Sequence, residues 1–306
     1  MSIKRYVRRE KNVVSERTLK TRRRVVEDFI RQQGEDPDVS DFEDYIDGLL
    51  KRYENDDIKA STIKEYYKIV KRYFDVMGVE GDVGHIKEWL PANDSHPGEY
   101  LKPKELNKFK RSINKLRDKA LVDLMYYYAR RPKEVMLLNR EDIDLEEGTI
   151  TFNILKKNNH ETVTLELENG DEYEVLRATF EIKDEWFANV EKYLMFSPQN
   201  EHEIKLDGEE QTITPLFSKA NGRITYSTIY NVVSRANDRS GVDKNITPKS
   251  LRHSRATHLD HAGESPEQIA RHQLLHGPGS DVIDRYIHEK DEQDVREVMT
   301  ISDSDE

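Results

Sequence analysis

The spacing of apolar residues constrains this chain most. It keeps a helical period almost throughout and switches to strand alternation only in one central stretch. Ser15 reads as the N-cap of a helix carrying Leu19, Val26, Phe29 and Ile30 and ending at Gly34. Phe42, Tyr45, Ile46, Leu49, Leu50 and Tyr53 then share one helical face. Ser61 is the expected cap of a third helix, whose buried stripe is Ile63, Tyr66, Tyr67, Val70, Tyr73, Phe74 and Met77. A short helix holds Ile86, Trp89 and Leu90. Joined by short polar loops, these predict a helical bundle over residues 15–92. Aromatic stripes at this spacing read as core rather than as platforms for stacking bases.

Pro91 to Gly98 (PANDSHPG) is polar and rich in breakers, which places a linker over 93–100 and a second domain over 101–288. Pro103 opens a helix with Leu106, Phe109 and Ile113, and a further helix holds Ala120, Leu121, Leu124, Met125 and Tyr128. The period then changes: Gly148–Lys157 and Glu161–Leu167 read as a hairpin about the tip Asn158–Asn159–His160, and Tyr173–Ile182 extends the sheet. Helices resume at Asp184–Phe196 and Thr225–Ser240, with a polar, glycine-containing loop between them. Thr247–Pro248 and Ser265–Pro266 start two more, the latter with a capping-box pattern, and Ser280 or Asp281 caps a last one.

The 306 residues contain no cysteine, which excludes disulfides, a thiol nucleophile and any Cys-ligated metal. Ala120–Ala129 is the longest mostly apolar stretch; Asp123 breaks it, and it is far short of a membrane span. No apolar segment follows the charged start, so a soluble, cytoplasmic protein without a secretory signal is expected. The formal net charge is -11, yet the first 24 residues hold ten Lys/Arg against two Glu. A basic front on an acidic body fits a polyanion partner contacted locally, but the feature taken alone favours a solvated, disordered arm, placed over residues 1–14.

Three separated patches carry the chemistry: YYYARRPKEVMLLNREDID (126–144), ITPKSLRHSRATHL (246–259) and LLHGPGSDVIDRYIH (274–288). Their order and spacing resemble the tyrosine recombinase (phage-type integrase) family. There an Arg precedes xxE and an L…DID run, an (H/K)xxRHS-ATHL helix follows, and a YxH motif comes last. The helix STIKEYYKIVKRYF before the linker is similar to the family's core-binding domain, so the resemblance covers residues 15–290.

That resemblance implies a mainly α fold: an N-terminal, SAM-like helical core-binding bundle plus an α+β catalytic domain with a small antiparallel sheet. It implies Arg131 and Arg252 as phosphate-clamping arginines and Tyr286 as nucleophile. Lys156 matches the strand lysine, judged by its distance to Val163 in VTL, with Lys157 as runner-up. Lys249 stands where most members have His, as in some archaeal members, and His276 is the candidate for the last His/Trp position, although LLHGPGS departs from the usual LGHSS. Ala129 replaces a common glycine. The implied activity is site-specific breaking and rejoining of DNA through a covalent 3′-phosphotyrosyl link. A member with weakened catalysis and a type IB topoisomerase-like enzyme are the alternatives. The implied partners are double-stranded DNA and three further copies of the chain, a homo-tetramer on paired sites that exchanges residues 289–306; a simple, Xer-like arrangement of archaeal or viral type is expected.

The residue types suit that chemistry. Two guanidiniums can hold both non-bridging phosphate oxygens and offset charge developing in a pentavalent transition state. A phenol needs nearby cations to become a nucleophile, and a lysine can protonate the leaving 5′ oxygen. The covalent link conserves bond energy, so neither ATP nor a metal is implied, and the sequence has no GxxxxGK loop. His253, His258, His261, His272 and His276 lack standard zinc spacing and read as packing or phosphate-contacting residues.

Overall fold

The computed structural model describes residues 3–14, 16–92, 99–155, 161–167, 169–219 and 222–275. The chain divides into two compact units, Met1–Ser95 and His96–Glu306.

The first unit is built from helices α1 (Ile3–Glu10), α2 (Glu16–Gln33), α3 (Val39–Glu54) and α4 (Ala60–Met77), followed by a 3-10 turn at His85–Trp89. Its core is aromatic, as the stripes predict. Phe29 meets Phe42, Tyr45, Tyr73 and Phe74 at centroid separations of 6.2, 5.2, 6.2 and 6.0 Å. Such edge-on and tilted pairs add to the area each ring removes from water. Asp38 caps α3 in a reciprocal box with Asp41. Gly78 closes α4 at φ 71, a left-handed cap suited to glycine.

Two expectations are corrected here. Ser61 does not cap α4: the helix starts at Ala60 after Lys59, and the Lys59 carbonyl already accepts from Thr62 at 2.9 Å. Nor are residues 3–10 a solvated arm. Tyr6 and Glu10, four residues apart and so on one helical face, are both fully buried. Glu10 accepts from Arg22 of α2 and, at 3.0 Å, from Arg72 of α4, so one carboxylate ties three helices together. Arg9 donates to the Val76 carbonyl. Part of the basic front is therefore used inside the bundle.

The second unit opens with α5 (Pro103–Arg111), α6 (Leu116–Tyr127) and α7 (Pro132–Met136). Every residue of α6 from Ala120 to Tyr126 is buried, which makes it the central helix of the unit. Asp123 survives there because Lys110 and Asn189 each reach it at 2.7 Å. Strands β1 (Ile143–Asp144), β2 (Thr149–Ile154), β3 (Val163–Glu166) and β4 (Glu172–Glu181) follow, then α8 (Asp184–Phe196), β5 (His202–Leu206) and β6 (Glu209–Ile213). Two short strands, β7 (Ser218–Lys219) and β8 (Gly222–Arg223), precede α9 (Tyr226–Ser240), α10 (Pro248–His261) and α11 (Pro266–Gln268), the last running into a π-helical turn at Ile269–Gln273. The core joins Phe109, Leu121, Leu124, Val190, Ile229 and Leu251 of the helices to Phe152, Leu165 and Val175 of the sheet.

The sheet is antiparallel, in the order β1-β2-β4-β3-β5-β6, and it corrects the predicted hairpin. The partner of β2 is β4, not β3: Thr149 lies opposite Glu181 and Ile154 opposite Leu176. The ladder of β3 begins at the next residue of β4, Val163 opposite Val175. Ten residues of alternating burial let β4 serve both strands, so Val163 does not mark the return of the strand that leads to Lys156. A second correction concerns the loop expected after α8. It contains the β5–β6 hairpin, turning at Asp207 (φ 52) and Gly208 (φ 82), a pair with the positive φ values that tight hairpins require. The linker is also shorter than 93–100 at its far end, because Asn245 donates to Glu99 and Lys244 to the Tyr100 carbonyl, each at 3.0 Å.

Candidate active site

Arg131 is held by its own helix start. Pro132 occupies the first position of α7, and Glu134 folds back to accept from the Arg131 amide and guanidinium, both at 2.8 Å. The sequence R-P-x-E thus fixes this arginine locally. Arg252 is fixed by tertiary contacts instead. It projects from α10, is 3 % exposed, and donates to the carbonyls of Ala129 and, at 2.8 Å, Leu274. One side chain of the second patch therefore touches backbone of the first and of the third.

A small apolar cluster of Ala129, Ala256, Leu259, Ile269 and Leu274 packs the same three segments together. Ala129 adopts φ 49, a conformation that disfavours any side chain, which explains a glycine as the common family residue there. Lys249, one turn before Arg252 on α10, is exposed. Lys156, Lys157, His276 and Tyr286 lie outside the described residues, as do the helix expected at Ser280 or Asp281 and the exchange segment 289–306.

Arg130 is the residue that sequence reasoning missed. Next to Arg131 it reads as one more surface charge, yet it is fully buried. Its Nε donates to the Tyr128 carbonyl at 2.5 Å and its Nη2 to the Gln273 carbonyl. Its guanidinium lies 4.7 Å from the ring centroid of Phe180. Burial, with Arg252 and Arg131 adding repulsion against attraction from Glu134, lowers its pKa to about 9, so it stays a cation at neutral pH. Burial alone would raise the Glu134 carboxyl; Arg130, Arg131, Arg252 and the Arg131 amide outweigh it and bring the group below the usual carboxylate range. Three guanidinium charges thus act on one carboxylate, with Arg131 in direct contact.

Among the five histidines, His258 is a packing residue: Nε2 faces the Leu101 carbonyl at 2.8 Å and must donate, so Nδ1 accepts from the Tyr126 hydroxyl at 2.7 Å. His253 and His261 are buried on the same helix and His272 is exposed. Among the described residues no group of His, Asp and Glu is placed to hold a metal ion, and no helix is long and apolar enough to cross a membrane.

A helical bundle followed by an α+β unit that gathers arginines from distant segments is the arrangement of the tyrosine recombinases and integrases. Residues 99–293 match the phage integrase family, and the chain belongs to that family. It is 29% identical over 171 residues to tyrosine recombinase XerC of Syntrophus aciditrophicus (strain SB), covering 55% of this chain and 49% of the relative, so the match spans about half that protein's length. In fold it is similar to the Tn1549 transposon integrase (residues 82–397) in complex with circular intermediate DNA, with a TM-score of 0.66, 16% identity and coverage of 97% of this chain and 98% of the other. It is likewise similar to a lambda integrase (75–356) dimer bound to a core site, with a TM-score of 0.62, 13% identity and coverage of 92% and 95%.

Proposed function

We propose that the protein is a site-specific DNA recombinase that breaks and rejoins duplex DNA through a 3′-phosphotyrosyl intermediate. The observation that carries this reading is the bridge from Arg252 to Ala129 and Leu274, which assembles three distant segments around a surplus of positive charge. Arg131 and Arg252 take the non-bridging oxygens of the scissile phosphate. Each guanidinium is a planar, multidentate donor suited to holding a phosphate. Lys249, exposed one turn from Arg252, adds to the same field. Tyr286 gives its proton to solvent water and attacks phosphorus; the bond to the 5′ oxygen breaks, and Lys156, or Lys157, protonates that oxygen. His276 completes the set beside the phosphate.

Duplex DNA is the partner this reading requires, as in the Tn1549 and lambda complexes, and a homo-tetramer on paired sites is the assembly. The test is a nicked duplex carrying the site that the protein enriches from a random-sequence pool. Wild-type protein should become covalently attached, and Tyr286→Phe should bind equally well without attachment. Absence of any adduct from wild-type protein on that duplex removes the catalytic reading.

A further inference from the structure

We infer that Arg130 is a positioning residue for strand cleavage: fully buried, it fastens the Gln273 backbone, the anchor from which the Tyr286-bearing stretch continues. This inference rests on the recombinase reading above.

Removing a guanidinium wholly from water costs several kcal/mol, and an apolar side chain between Phe152 and Phe180 would avoid that cost. The Arg130 contacts show what the charge does in return. Nε holds Tyr128 of the first patch and Nη2 holds Gln273, the residue just before the third. The next carbonyl, that of Leu274, is held by Arg252 at 2.8 Å. The Gln273 side chain returns the contact, donating to the Tyr127 carbonyl at 2.6 Å. Consecutive peptide groups at 273 and 274 are thus pinned to the segment that ends in Arg131.

The backbone on either side is irregular, which gives the pins something to hold. A single π-helical turn, Ile269–Gln273, precedes them; such turns are uncommon and concentrate at functional sites. Leu275 follows at φ 51, a left-handed conformation unfavourable for a leucine, which persists only where its surroundings over-determine it. Among the described residues Arg130 Nη1 has no hydrogen-bond partner, so within them the side chain forgoes one contact while Nε and Nη2 keep theirs. In-line attack is sensitive to placement: an error of about 1 Å costs roughly 100-fold in rate.

The test uses the full chain with Arg130→Leu and Arg130→Lys, and separates placement from folding. Arg130→Leu takes a cation from beside buried Glu134 and leaves the Tyr128 and Gln273 carbonyls without their donor, so its Tm should fall; assayed at a temperature where it is fully folded, it should bind the selected duplex with wild-type Kd. Its adduct formation should fall roughly 10- to 100-fold. Amide hydrogen exchange over 271–275 should quicken by about tenfold, reporting the loosened anchor without DNA. Arg130→Lys keeps the charge but cannot span both carbonyls, so its cleavage should lie between Leu variant and wild type. Unchanged exchange or an unchanged adduct rate in Arg130→Leu overturns the proposal. So does a loss of cleavage accompanied by an equal loss of folding in both variants. If wild-type protein forms no adduct at all, the recombinase reading fails, while the anchor is still judged by exchange.

Discussion

Each unit of this protein buries a glutamate among arginines, and the two arrangements differ in charge balance and in access to water. In the bundle, Glu10 is shared by Arg22 and Arg72, whose side chains are 24% and 43% exposed. Their outer faces stay hydrated, and the cluster acts as a latch that docks α1. In the second unit, Glu134 pairs with Arg131 and feels the charges of Arg130 and Arg252, which are 0% and 3% exposed. Buried cations then outnumber the carboxylate, an excess that a phosphodiester is suited to offset. The same residue types therefore make a fastener in one place and, in the proposed function, an anion site in the other.

Arg252→Ala should break this contrast most strongly. Losing one preorganised donor to the transition state is expected to cost about 100- to 1000-fold in adduct formation, with a much smaller change in duplex Kd. Arg72→Ala, its counterpart in the bundle, should cleave at the wild-type rate per folded molecule. Equal losses in the two variants would erase the distinction between latch and site.

Next in size is stability. Glu134→Ala leaves Arg130 buried without its carboxylate and should cost about 3–5 kcal/mol in denaturant unfolding. Glu10→Ala leaves arginines that can rehydrate, and about 1–2 kcal/mol is expected. A reversed ranking would show that exposure does not separate the two clusters.

A pH series sharpens the same point. The folded-state pKa of Glu134 lies below its ordinary value of 4.5, so its ionised form stabilises the fold above that pH. That contribution is lost as pH falls from about 4.5 through the folded value. Glu134→Gln should flatten this part of the stability profile relative to wild type, and an identical slope in the two proteins would count against the charge cluster. The smallest effect is expected at Ala129. Glycine there relieves a left-handed strain of about 1–2 kcal/mol and gives up a buried methyl worth about 0.8 kcal/mol, for a net gain of up to about 1 kcal/mol in thermal unfolding.

Helices announced themselves wherever their own residues supply the reason for them. Asp184–Phe196, the Thr225 cap of α9 and the Thr247–Pro248 start of α10 agree with the structure because amphipathic spacing, caps and N1 proline act within one or two turns. Helix α1 is different: eight residues dominated by charge gain their fold from Arg72, which is 62 residues from Glu10 in sequence. The β5–β6 hairpin carries a local sign in Asp207–Gly208, but β6 is exposed from Glu209 to Thr212 and shows no apolar stripe. Pairing of β2 with β4 rather than β3 is a non-local choice that alternation alone does not rank.

Resemblance to the tyrosine recombinases made Arg131 and Arg252 candidates, and apolar period was enough to predict a helical bundle followed by a mixed domain, because period is written in residue type and separation. Only the tertiary structure decided that Arg130 lies inside, that three guanidinium charges act on Glu134, and that Arg252 joins Ala129 to Leu274. Burial and electrostatic company depend on which distant segments meet, and an arginine beside an arginine looks the same in sequence whether it faces water or two phenylalanine rings.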